Sequence, residues 1–130
     1  MATDTARINR YRSQSLRLLD NALGDMRGGR WGQSEDLLWG SLTLAVKAVA
    51  LSQGQSLSDD QSIREFAVNL GKERRDKRIR ESFERLASFS ETLQRIRESR
   101  GRLDRLFSIL DDVTSVVEVL WDLVPGEYEE

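Results

Sequence analysis

The chain has 130 residues, 32% of them charged and 38% hydrophobic, with a formal charge of −2 at pH 7. It contains neither histidine nor cysteine, which excludes disulfides, thiol nucleophiles, cysteine metal sites and every Ser-His or Cys-His arrangement. The length suits one domain over residues 1–130 with one core, and the charge balance gives no global basic field that would demand nucleic acid.

No segment alternates with period two, whereas helical periodicity runs throughout. The first helix is predicted from about residue 5 to 26, with Ile8, Tyr11, Leu18, Leu19, Ala22, Leu23 and Met26 on one side. "RGG" at 27–29 ends it, because glycine accepts the left-handed conformation of a helix C-cap. A second helix is predicted over about 31–53, with Leu38, Leu42, Ala45 and Val49 as its apolar stripe and Gly54 as its stop. "RGGRWG" before it lacks both the spacing of a phosphate loop and a preceding strand.

"SLSDDQSIREFAVNLG" reads as a short third helix, in which Ser58 and Gln61 have capping-box spacing and Gly71 closes the segment. A fourth helix is expected from about 75 to 99, with Ile79, Phe83, Leu86, Phe89, Leu93 and Ile96 facing inward. After Gly101 a fifth is expected over about 102–124, ending at Pro125 and followed by a short acidic tail at 125–130. Its Leu103, Leu106, Leu110, Val113, Val117, Leu120 and Val124 follow a 3-4 repeat. Ile109, Val116, Val119, Trp121 and Leu123 widen that stripe, and a helix apolar on more than one face needs more than one neighbour. The expected fold is an all-α, up-and-down bundle of four long helices plus one short helix, with those five residues as a homodimer interface or, in the plainer reading, a fully internal helix end. The opening "MATDTARINRYRSQ" lacks the apolar core of a signal peptide. No run reaches the roughly 18 apolar residues of a membrane span. The expected location is the cytoplasm, away from the membrane.

"SEDLLWGSLTLAVKAVA" resembles the HEPN superfamily, in particular its archaeal PaREP-type branch. Glu35, Trp39, Gly40, Val46, Lys47 and Ala48 are the matching positions, and "FAVNLG" and "LFSILDDVTSVVEVLWDL" are similar as well. The resemblance covers about residues 10–123. It implies a helical bundle that commonly dimerises, in a family rich in RNases, toxins and partners of small nucleotidyltransferases. The family's histidine motif is replaced here by "FSETLQ": Ser90 stands in the histidine's place, Thr92 in that of an asparagine and Gln94 in that of a tyrosine. The expected chain is therefore non-catalytic, with no cofactor and no metal.

Three residue groups remain as site candidates. Glu35 lies about 20° from the direction of Leu42 around the second helix, Trp39 about 60° and Lys47 about 140°. Glu35 and Trp39 could border a groove for a small ligand or nucleotide; the plainer expectation is a first-turn carboxylate paired with an arginine, a core tryptophan and a lysine turned away from the core. "GKERRDKRIR" sets six basic residues against two acidic ones. Its Arg74, Arg75, Lys77, Arg78 and Arg80, with Arg97 and Arg100, could bind RNA or phosphate by forked hydrogen bonds, as in a toxin-antitoxin RNase, or form a solvated face. The absence of interleaved aromatics in that run favours the solvated face. Ser90 is expected on the inner side of its helix, bonded back to the backbone.

Overall fold

The computed structural model describes residues 2–98 and 102–124, with side chains from residue 5 onward. Among them are six α-helices and no strand: α1 (Ala2–Arg27), α2 (Trp31–Ser52), α3 (Asp60–Arg74), α4 (Lys77–Arg80), α5 (Ser82–Arg97) and α6 (Leu103–Leu123). None of these helices is long and apolar enough to cross a membrane. The expectations for Arg100, Gly101, Pro125 and the acidic tail lie outside the described residues.

The turn between α1 and α2 follows from its glycines. Gly29 takes a φ of 78°, and Arg30 N–H bonds back to the Asp25 carbonyl at 2.8 Å. The two helices then run antiparallel, held by serines. Ser34 Oγ donates to the Ala22 carbonyl at 2.9 Å. Further along, Ser15 Oγ donates to the Ser41 carbonyl at 2.9 Å and Ser41 Oγ donates to the Ser15 carbonyl at 2.8 Å. Ser15, Ser34 and Ser41 are fully buried. Small side chains at these points let the two backbones approach, and each hydroxyl is satisfied by the opposite helix.

Helix α2 packs against α1, α3, α5 and α6, which makes it the centre of the molecule. Its predicted stripe of Leu38, Leu42, Ala45 and Val49 is buried, together with Val46, Ala48 and Ala50. Gly54, at a φ of 83°, ends the turn that follows α2, as expected.

The third helix departs from expectation at both ends. Its N-cap is Asp59, whose carboxylate accepts from Ser62 N–H at 2.7 Å, one residue later than the predicted Ser58 box. Gly71 does not stop it. The helix continues to Arg74, and Arg75 takes the left-handed cap at a φ of 54°. Gly71 is buried, and a Cβ there would lie 2.6 Å from Arg80 Cα, so its role is the close approach of α3 to α4.

The predicted fourth helix is broken at Glu81. Asp76 caps α4 by accepting from Arg78 N–H at 2.9 Å. The buried Ser82 hydroxyl then donates to the Ile79 carbonyl at 2.9 Å, a local back-bond of the kind that bends helices. In α6 the repeat from Leu106 to Val124 is buried, but Leu103 is exposed. Arg85 Nε donates to Asp112 at 2.7 Å and ties α5 to α6.

Candidate functional site

The residues singled out in the sequence come together unevenly. Glu35 is half-buried on α2, just past the helix's opening turn, and among the described residues no arginine pairs with it. Its carboxylate instead accepts a short hydrogen bond from the hydroxyl of Ser90 on α5. Ser90 is exposed and reaches across to α2, which corrects both its predicted inner position and its predicted back-bond.

Trp39 follows Glu35 by one turn and is half-buried rather than a full core residue. Its ring packs against Phe83 of α5 at 5.9 Å between centroids, tilted by 33°. Arg64 of α3 lies over both rings, 5.6 Å from the Trp39 centroid and 5.8 Å from that of Phe83. Such guanidinium–ring contacts are favourable and hold the arginine across the aromatic pair. A groove of about 480 Å³ opens here between α2, α3 and α5, lined by Trp39, Gly40, Leu44, Asp60, Ile63, Arg64 and Phe83. Glu35 is not among its lining residues.

Lys47 points to α1, with Nζ 5.3 Å from the ring centre of Tyr11. Arg7 Nη2 donates to the Tyr11 hydroxyl at 3.5 Å. That bond, aided by the charge of Lys47 and opposed by partial burial, holds the phenol below its usual 10.0.

The basic residues of the stretch are exposed, and two of its arginines have local partners. Arg78 binds Asp76 and donates to Ser115 of α6 at 2.8 Å, and Arg80 pairs with Glu81. Arg74, Arg75 and Lys77 are exposed. Arg97 lies at the far end of α5, with Nη2 3.9 Å from where a Cβ on Gly32 would be. The α5–α6 seam also carries two depressions that share Arg85. One of about 260 Å³ is bordered by Lys77, Arg78 and Asp112, and one of about 320 Å³ by Arg95, Arg105 and Thr92. Gln94 contacts Glu98 within its own helix at 3.5 Å.

The proposed interface residues need the largest correction. Ile109, Val116 and Trp121 are buried within a single chain, leaving only Val119 and Leu123 partly exposed. The room for Trp121 comes from the serines of α1 and α2: its Nε1–H donates to Ser15 Oγ at 3.1 Å, and Arg12 covers its ring at 5.2 Å. That buried three-helix network was missed in the sequence. Its signal was the placement of Ser15, Ser34 and Ser41 at helical spacing on apolar faces. The exposed large apolar side chains are instead Leu16 (41%), Leu103 (42%) and Phe107 (36%). Leu16 stands one turn beyond Arg12, and Phe107 lies within about 40° of Trp121 around α6. Phe107 precedes Trp121 by 14 residues, about 21 Å along α6, so it and Leu16 stand at different heights of the bundle. Helix α6 also exposes Asp104, Asp111, Glu118 and Asp122.

Among the described residues, no group of three or more acidic side chains is arranged to hold a metal ion. Comparisons with protein-family models, curated proteins and solved structures give no significant match.

Proposed function

We propose that the chain is a non-catalytic interaction module that works as a homodimer, built as an HEPN-like up-and-down bundle of α1, α2, α5 and α6. The observation that carries this reading is the exposure of large apolar side chains on α1 (Leu16) and α6 (Leu103 and Phe107), with exposed acidic side chains also on α6. Large apolar side chains left exposed among charges are a common feature of interaction surfaces. The charges are complementary within one chain. Arg10 and Arg17 are exposed seven residues apart on α1, and Asp104, Asp111 and Glu118 are exposed with the same spacing on α6. In a two-fold contact, α1 of each copy meets α6 of the other, so one patch serves both sides.

The absence of histidine and cysteine from the sequence, and the engagement of Ser90 by Glu35, support the non-catalytic part of the reading. The sequence resemblance further suggests a small nucleotidyltransferase as a second partner. RNA binding is the weaker reading, because Arg78 and Arg80 are drawn into ion pairs and Arg97 stands at the opposite end of α5.

Light scattering on a size-exclusion column tests the proposal. Dimer mass at micromolar concentration is expected, with Phe107→Glu and Leu16→Glu giving monomers of unchanged helicity. A wild-type monomer at high micromolar concentration sinks it. A filter-binding titration with single-stranded RNA tests the weaker reading: retention at low salt that falls steeply as salt rises supports RNA binding, and no retention at low salt removes it.

A further inference from the structure

We infer that the groove between α2, α3 and α5 binds a small zwitterion with an apolar body, of the class of free amino acids with aromatic or large aliphatic side chains. The inference is independent of the proposed dimer, whose contact residues lie on α1 and α6 and do not line the groove. It starts from Asp60 and Arg64. They stand four residues apart on α3, with the acid nearer the N-terminus, the order in which opposite charges on a helix attract best. Yet among the described residues no ion pair joins them. Arg64 is turned onto the rings of Trp39 and Phe83 instead. Both residues line the groove, which brings one carboxylate and one guanidinium to its border, and among the described residues no side-chain hydrogen bond or ion pair is formed by either.

The other lining residues are mainly apolar, namely Trp39, Phe83, Leu44 and Ile63, joined by Gly40 and Thr43. The volume of about 480 Å³ lies within the range of small-molecule sites, which combine apolar walls with a few placed polar groups. A purely anionic ligand would leave Asp60 opposed to its charge, and a purely cationic one would leave Arg64 opposed. A zwitterion satisfies both, with its carboxylate on the Arg64 fork, its ammonium on Asp60 and its side chain against the rings.

The test is an NMR titration of the full chain with L-phenylalanine, read at the Trp39 indole N–H and the Arg64 Nε–H. Two truncated probes accompany it: 3-phenylpropionate, which lacks the ammonium, and phenethylamine, which lacks the carboxylate. Saturable shifts with L-phenylalanine are expected, with each truncated probe at least about tenfold weaker. Arg64→Gln should abolish the preference for L-phenylalanine over phenethylamine. Asp60→Asn should abolish the preference over 3-phenylpropionate. Arg27→Gln, at the end of α1 and not part of the groove lining, should change neither. Absence of any saturable shift at millimolar L-phenylalanine, equal binding of the three probes, or shifts unaffected by both groove variants would overturn the inference.

Discussion

Ser90 of α5 donates its hydroxyl to the carboxylate of Glu35 on α2, joining two residues 55 apart in sequence. Each drew attention in the sequence for a separate reason. Together they form a polar clasp one turn from the Trp39–Phe83 contact, so the α2–α5 seam carries both a charged and an aromatic link.

The clasp is expected to contribute modestly, since Ser90 is exposed. Ser90→Ala and Glu35→Gln should each lower stability by roughly 1 kcal/mol or less. The double variant should lose less than the sum of the two, because the residues share one bond. Urea unfolding of the four proteins measures this. Strict additivity would show that the contact contributes nothing.

The Ser15 network should be costlier to break. Ser15→Ala removes the acceptor of the buried Trp121 N–H and a donor to α2 at once, for an expected loss of about 2–3 kcal/mol. Ser41→Ala removes a donor to a carbonyl of α1 and should cost about 1 kcal/mol. The order of the two midpoints in urea is the readout; equal losses would mean that the Trp121 bond has no weight.

Much of the fold was legible because burial follows period. The stripes of α2 and α6 are buried nearly as the spacing of Leu38, Leu42, Val113 and Val117 predicts. What escaped were features set by partners distant in sequence. Gly71 reads as a helix stop until Arg80 is seen beside it, and Trp121 reads as surplus apolar surface until Ser15 is seen under its indole. The split at Glu81 was hidden because periodicity survives a bend of one residue. In the candidate site, Trp39 was visible as an unusual residue, but Arg64 and Phe83 belong to other helices and carried no local signal.

Acid should weaken the junction of α3 and α4. Burial of Asp76 raises its pKa, but hydrogen bonds from the Arg78 side chain and from the N–H groups of Ile79 and Arg78 outweigh it, holding the carboxyl below its usual 3.8. The hydrogen bond from Ser62 N–H lowers Asp59 in the same direction. A group depressed in the folded state adds stability above its unfolded pKa and loses it as pH falls through the folded value. The contribution is thus full at neutral pH and disappears below about pH 3.8. Asp76→Asn keeps a competent cap while removing the charge. It should be less stable than the parent at pH 7, with the difference narrowing in strong acid. A difference that stays constant across this range would assign the effect to geometry rather than charge.

Three of the helical glycines, Gly24, Gly40 and Gly71, should respond to alanine in opposite ways. Nothing lies within 4 Å of a Cβ placed on Gly24, so Gly24→Ala should stabilise the chain by about 0.5–1 kcal/mol through helix propensity and a less flexible unfolded state. At Gly40 the new methyl meets only the tip of Leu18, at 2.9 Å from Cδ1, and a flexible side chain can turn aside. The expected change there is under roughly 1 kcal/mol. At Gly71 the methyl meets the backbone nitrogen and Cα of Arg80, which move only if α4 moves. Overpacking against backbone should cost about 3 kcal/mol or more. Because α4 carries Arg78 to Ser115 of α6, Gly71→Ala should also disturb the Ser115 amide in an NMR spectrum, whereas Gly40→Ala should not. Thermal melting ranks the three variants; a Gly71→Ala protein as stable as its parent would remove the close α3–α4 approach from the account of the fold.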